Sequence, residues 1–312
     1  IDKYGHELWR WTFPVNKLNQ QTEQLSPLSS RPTYTETEND LTVKANKRTF
    51  IFSKKDGQLK GVSVDNRKIS FANGPRFIGA RRADRSLDQF YNHDDEKAKE
   101  KDRTYSEFPD AAVFTKLDVK EDGGNLVVTA NYKLGNLDKA QWTINPSGDL
   151  ALDYTYNFSG VVDLMGIRFD YPEDQVISKR WLGAGPYRVW QNRIHGTQYD
   201  VWENDYNDPI PGETFTYPEF KGYFGDVSWM NIQTKEGTIS LTNETPDAYI
   251  GVYQPRDGRD RLLYTLPESG ISVLNVIPPV RNKVNSTDLC GPSSQPKWVN
   301  GPQTGRVIFR FM

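Results

Sequence analysis

Apolar and polar residues alternate with a period of two in short runs along most of the chain. That is the signature of strands with one buried face. It is clear in residues 48–53 (RTFIFS), 58–64 (QLKGVSV), 125–132 (NLVVTANY), 149–158 (DLALDYTYNF), 227–233, 238–242, 270–276 and 306–311. Turn chemistry separates these runs: Lys55-Asp56-Gly57, Asp122-Gly123-Gly124, Asn145-Pro146-Ser147-Gly148, Lys235-Glu236-Gly237 and Glu268-Ser269-Gly270. Asp-Gly supplies the positive φ that tight hairpin turns require. Only residues 94–103 (DDEKAKEKDR) read as helix, and they carry no apolar stripe, so a short solvated helix or charged loop is expected there. A dozen or more strands with very little helix predict an all-β protein, either a large antiparallel sandwich or a barrel.

Residues 16–36 are polar, contain prolines and lack apolar periodicity, the composition of a linker. Residues 1–15 are read as the tail strand of a preceding module, and 37–312 as one all-β domain. The chain opens inside an aromatic run (Leu8, Trp9, Trp11, Phe13) without an initiator Met, as expected of a piece of a longer protein.

Composition narrows the function classes. The 312 residues include 39 basic and 41 acidic side chains, a formal net charge of −2, which lacks the basic excess of a nucleic-acid binder. No apolar run is long enough to span a bilayer as a helix. Neither nucleic acid nor membrane is therefore expected as a partner. Cys290 is the single cysteine, so no internal disulfide can form.

Local catalytic and metal motifs are sparse. His6, His93 and His195 have no metal-ligand spacing and are expected in loops or at the surface. Cys290 lies in a turn-like stretch, and no motif supplies a base beside it. Asp205 and Asn207 are spaced like the start of a calcium loop, but Pro209 interrupts it and a solvated loop is expected. No metal and no cofactor is expected.

A broader signal lies between Trp181 and Trp229, where Trp181, Tyr187, Trp190, Tyr199, Trp202, Tyr206, Tyr223 and Phe224 alternate with Arg, Asn, Asp and Glu. Aromatic faces stack on the C–H surfaces of sugars while planar polar groups take the hydroxyls. The glycines and prolines here, Gly183, Gly185 and Pro186 among them, suggest loops forming a binding rim.

Several motifs, in order, resemble the C-terminal region of family 2 glycoside hydrolases of the β-galactosidase type. Residues 5–11 (GHELWRW) are similar to the closing strand of that family's immunoglobulin-like domain, and 46–59 (NKRTFIFSKKDGQL) to the opening hairpin of its last domain. Residues 74–84 (GPRFIGARRAD) stand where the family carries an Arg-Ala-Pro-x-Asp-Asn-Asp-like segment. Residues 181–186 (WLGAGP) are similar to its Trp-x-Gly-x-Gly-Pro motif.

The resemblance implies a galactose-mutarotase-like β-supersandwich that contacts carbohydrate and helps to shape an active-site pocket. The family's catalytic Glu pair lies on an upstream TIM barrel, for which this chain has too few alternating strand–helix units. The fragment alone is thus expected to be inactive, with carbohydrate and the upstream catalytic domains as its partners. The family's use in bacterial glycan uptake points to the periplasm or the cell exterior. Arg82, Asp84, Trp190, Trp202 and Tyr206 are expected to line the sugar-contacting groove. The competing readings are a free-standing aldose epimerase or polysaccharide lyase on the same fold, and a purely structural spacer or dimerisation domain. An epimerase would draw a His and a Glu from His93, His195, Glu203 and Glu213.

Overall fold

A computed structural model describes residues 1–7, 10–12, 30–82, 105–205, 222–252, 267, 270–279 and 292–312. The described residues form nineteen strands. The first seven are β1 (Thr33–Glu36), β2 (Asp40–Ala45), β3 (Arg48–Ser53), β4 (Leu59–Val64), β5 (Arg67–Ile69), β6 (Ala72–Arg82) and β7 (Tyr105–Glu107). Then come β8 (Val113–Asp122), β9 (Asn125–Lys133), β10 (Leu137–Ile144), β11 (Leu150–Val162), β12 (Leu164–Asp170) and β13 (Val176–Gly185). The last six are β14 (Gln198–Asp205), β15 (Trp229–Thr234), β16 (Gly237–Asn243), β17 (Tyr249–Val252), β18 (Ile271–Val276) and β19 (Lys297–Phe311). The only helical turns among the described residues are short 3₁₀ segments at Glu173–Gln175 and Pro292–Ser294.

The strands make two antiparallel sheets. One has ten strands in the order β1-β2-β3-β4-β6-β12-β18-β17, with β5 beside β4 and β7 beside β6. The other has nine, in the order β14-β13-β15-β16-β19-β11-β10-β9-β8. Local chemistry sets the hairpins. Asp65 and Asn66, both at positive φ (48° and 64°), make the two-residue link from β4 to β5, and short polar side chains tolerate that conformation best. At the Lys55-Asp56-Gly57 turn the Asp56 carboxylate accepts a hydrogen bond from the Gln58 N–H at 3.1 Å.

The sheets meet through aromatic rings. Phe71 stacks on Phe169 with centroids 4.7 Å apart and touches Phe309 and Phe311 of the other sheet at 5.0 and 5.3 Å. Trp142 meets Phe52 and Phe169, both at 6.0 Å. These rings are buried, and burying such a side chain stabilises the fold by about 1.5–3 kcal/mol. Polar ties add register. Arg48 of β3 donates to the carbonyls of Ser147 and Phe311, each at 2.8 Å. Glu236, in the β15–β16 turn, accepts from the Ser70 N–H at 2.9 Å, the Ser70 hydroxyl at 2.6 Å and the Tyr171 hydroxyl at 3.0 Å.

The all-β, two-sheet architecture is the one that the alternation predicts. The Trp181–Gly185 motif differs from expectation, because it is the end of strand β13 and not a loop. Most of the expected linker lies outside the described residues, and its last residues, Thr33–Glu36, pair with β2. The charged run 94–103 and most of the segment after Arg82 also lie outside the described residues.

Candidate functional site

The glycines of the Trp181–Pro186 motif are explained by close packing. Trp181 is fully buried, and its indole N–H donates to the Ala184 carbonyl at 3.0 Å. A Cβ on Gly183 would lie 2.9 Å from the Gly225 carbonyl oxygen and 3.0 Å from the Val227 Cα. A Cβ on Gly185 would lie 2.4 Å from Cδ1 of Trp202, which pairs across the β13–β14 ladder with Trp181. Trp202 is partly buried, and its indole N–H donates to the Gln198 carbonyl at 3.1 Å. Trp202 is therefore laid against a backbone stripped of side chains. Sheet packing, rather than a loop conformation, demands the small residues there.

A second apolar cluster lies on the face of the ten-stranded sheet that points away from the main core. Ile78 and Ala80 of β6, Leu164 of β12 and Leu274 of β18 supply its floor. Alternation puts them there: Phe77, Met165 and Val273, their neighbours in sequence, belong to the main core. Trp190, Tyr223 and Val189 cover this floor, with Tyr105 and Ile277 at its side. The Trp190 and Tyr223 rings meet edge to face, with centroids 5.7 Å apart. Val189 and Tyr223 exchange backbone hydrogen bonds of 2.7 and 2.8 Å, fixing one segment on the other. Burial pushes the Tyr223 hydroxyl far above its ordinary value, with a smaller upward push from Tyr105, so this phenol stays neutral.

Polar groups gather at the rim of this cluster. Asp163 is the single residue between β11 and β12, where the chain passes from one sheet to the other, and it is buried. Its N–H donates to the Ala80 carbonyl at 3.0 Å. Arg82 ends β6 opposite Tyr105. Gln191 donates from its backbone to the Pro278 carbonyl at 3.0 Å, and from its side-chain amide to the carbonyls of Ser293 and Gln295 at 2.8 and 2.6 Å. Gln191 thus ties together the two ends of the connection between β18 and β19. Arg188 is also buried, with its guanidinium carbon 5.9 Å from the Phe224 ring centroid and the buried Lys179 ammonium 6.0 Å from the same ring.

Of the residues expected to line a groove, Arg82 and Trp190 come to the same end of the ten-stranded sheet. Trp190 is 2% exposed, so its ring supports the rim from beneath. Trp202 stands apart on β14, against Gly185 and the main core. Asp84 and Tyr206 lie outside the described residues. Asp163, Gln191 and Tyr105 belong to no motif of the sequence. A lone Asp inside the apolar run 161–165 was the one local sign of Asp163.

The other titratable candidates are placed as follows. His6 bonds to Asp2 at 3.0 Å in an exposed turn, and His195 is exposed. His93 and Cys290 lie outside the described residues, as do Asn207 and Asp208. Asp205 is an exposed residue at the end of β14. Among the described residues no group of three or more His, Cys, Asp or Glu is placed to hold a metal ion, and no helix is long and apolar enough to cross a membrane.

By fold the protein is a large antiparallel β-sandwich with irregular segments converging on one end of the ten-stranded sheet. The family model described as beta galactosidase small chain matches residues 44–279, and the chain belongs to that family. No curated protein sequence matches it. Among solved structures, galactose 1-epimerase from Lactobacillus acidophilus NCFM is similar over 91% of this chain and 99% of its own, with 9% identity and a TM-score of 0.49. A GalM/aldose epimerase homologue from C. elegans is similar over 90% of this chain and 99% of its own, with 8% identity and a TM-score of 0.42. Aspergillus nidulans amine oxidase is similar over all of this chain and 56% of its own, with 8% identity and a TM-score of 0.37. No chemistry transfers at that distance.

Proposed function

We propose that this chain is the non-catalytic, carbohydrate-contacting C-terminal domain of a family 2 glycoside hydrolase of the β-galactosidase type. In this reading it forms part of the wall of an active-site pocket whose catalytic Glu pair belongs to an upstream barrel. Membership of the small-chain family supports the reading, and one structural observation carries it. The strand ending in Arg82 and the connection pinned by Gln191 both leave the sheet at the same end, beside the buried cluster that contains Trp190, Tyr223 and Tyr105. Loops held on a rigid scaffold are where pocket walls are built. In this reading the buried cluster supports that end of the sheet, and residues beyond it make the contacts. Arg82 and Asp84 are assigned to hydroxyls of the bound sugar.

Turnover of a panel of nitrophenyl glycosides tests this. The 312-residue chain should be inactive, and the same chain joined to its upstream domains should hydrolyse a galactoside. In the joined protein, Arg82→Ala should raise KM or lower kcat/KM by about tenfold, equivalent to about 1.4 kcal/mol. Glycoside hydrolysis by the chain alone would overturn the proposal. Catalysed mutarotation of an aldose by the chain alone would replace it with the epimerase reading.

A further inference from the structure

The outward face of the nine-stranded sheet carries a strip of side chains that the wall of a pocket does not need. Along β19 the even-numbered residues Trp298, Asn300, Pro302 and Thr304 are exposed, while Val307, Phe309 and Phe311 are buried in the core. Trp298 is 72% exposed, a large flat ring left in water. Its cross-strand neighbour on β11 is Val161, followed by Ser159 beside Asn300, Asn157 beside Pro302, Thr155 beside Thr304 and Asp153 beside Arg306. The strip ends in a cleft of about 320 Å³ lined by Lys139, Gln141, Asp153, Thr155, Thr304 and Arg306. From Trp298 to Arg306 is eight residues of strand, about 26 Å.

The polar groups along the strip are held in place beforehand. The Ser159 hydroxyl donates to the Asn300 side-chain oxygen at 2.8 Å. The Arg306 guanidinium pairs with Asp153 and, at 3.0 Å, with Glu244. The Thr245 hydroxyl donates to the Arg306 carbonyl at 3.0 Å and accepts from its N–H at 2.9 Å. The charges around the cleft, Lys139 and Arg306 against Asp153 and Glu244, cancel. A strip of this kind has no electrostatic preference for an anion or a cation. It offers one apolar ring and a row of fixed donors and acceptors, which suits a chain of neutral pyranose units. The ring stacks on a sugar face, and amides, hydroxyls and carboxylates take the hydroxyls.

We infer that this face is a binding strip for a neutral oligosaccharide or polysaccharide, with Trp298 as its stacking platform and the Arg306 cleft at its far end. The strip is separate from the rim around Arg82 but begins beside it. Lys297 pairs with Val162, the residue before Asp163. A glycan lying on it would run away from that rim along β19 and β11. The inference does not depend on the pocket-wall reading, because it concerns binding by this chain with no turnover involved.

Native gels containing xyloglucan, β-1,4-galactan or arabinogalactan as neutral probes, and polygalacturonate as a charged one, test it on the 312-residue chain. At least one neutral probe should retard the protein, and Trp298→Ala should weaken that retardation tenfold or more. Lys139→Ala combined with Thr304→Ala should weaken it by severalfold. Trp11→Ala, which removes another exposed indole, 69% accessible, should leave it unchanged. Because Trp298 is so exposed, its variant should keep the parent's melting temperature. Retardation by none of the neutral probes overturns the inference, as does retardation only by polygalacturonate, equal loss in Trp11→Ala, or full retention in Trp298→Ala. A dimer of the parent that Trp298→Ala dissociates in sedimentation, with no glycan binding, would make this face a protein contact and also overturn it.

Discussion

Asp149 and Arg310 form a paired clamp across the start of β11 and the end of β19. Arg310 Nε lies 2.6 Å from one carboxylate oxygen and Nη2 lies 3.0 Å from the other. Asp149 is 6% exposed, and its second oxygen also accepts from the Asn145 side-chain amide at 3.1 Å. Burial pushes this carboxyl up, while Arg310, Asn145 and Arg48 together outweigh burial and leave it below the ordinary value.

The sign of the pH dependence follows. A carboxyl whose folded pKa is depressed contributes stability that is fully present above its unfolded value, about 3.9, and is lost as pH falls through the folded value. Urea unfolding should show the parent losing stability below about pH 4 more steeply than Asp149→Asn. Parallel curves for the two proteins would remove Asp149 as the source of the acid limb.

Gly185→Ala places a methyl group where Trp202 now lies. The indole or the strand must move, at a cost of about 1–3 kcal/mol. The variant should unfold at lower denaturant than the parent, with a changed tryptophan emission. Gly61→Ala is the comparison, since a Cβ there meets nothing within 4 Å. Equal midpoints for the two variants would contradict the packing described for the motif.

Trp190→Ala should cost about 3–5 kcal/mol by opening a cavity over Ile78, Leu164 and Leu274. Trp190→Phe should recover part of that loss, because the edge-to-face contact with Tyr223 can be remade. Thermal unfolding of the three proteins ranks them. A Trp190→Ala protein as stable as the parent would mean that the ring is not the support it is taken to be.

Gln191→Ala leaves the Ser293 and Gln295 carbonyls without their amide donor. Hydrogen exchange of residues 292–296 should speed up by an amount corresponding to about 1–3 kcal/mol of local opening, with a smaller change in global stability. In the protein joined to its upstream domains, the pocket-wall reading expects this variant to lose galactoside turnover as well. Faster exchange with undiminished turnover would separate the tether from the pocket.

The strands most legible in the sequence are those whose run of strand-forming residues is sustained between turn residues. β3, β4, β9, β11, β16 and β18 alternate and are bounded by turn residues, so their chemistry is local. β8 and β12 are harder to see, because clear alternation covers only four residues in each, 117–120 (LDVK) and 167–170 (IRFD). The site was legible as composition and not as geometry. Trp181, Trp190, Tyr223 and Phe224 are all buried, so the aromatic density marks a scaffold, and only pairing with distant segments shows it. Gln191 finds its acceptors 102 and 104 residues further along the chain, which no local window can reveal. Trp298 sits in a stretch rich in Gly, Pro and polar residues (295–305) that reads as loop, although it is the start of the longest strand.

That strand has a consequence for how the chain acquires its shape. β19 lies between β16 and β11, in the middle of the nine-stranded sheet, yet it is synthesised after every other strand of that sheet. Until it arrives, β14-β13-β15-β16 and β11-β10-β9-β8 are two separate half-sheets, each with an unpaired edge facing a gap. Their inner faces lack Val307, Phe309 and Phe311, so the core stays open until β19 has been made. Folding is therefore a late, long-range closure, in which the nascent chain presents two sticky edges and depends on the final insertion to silence both.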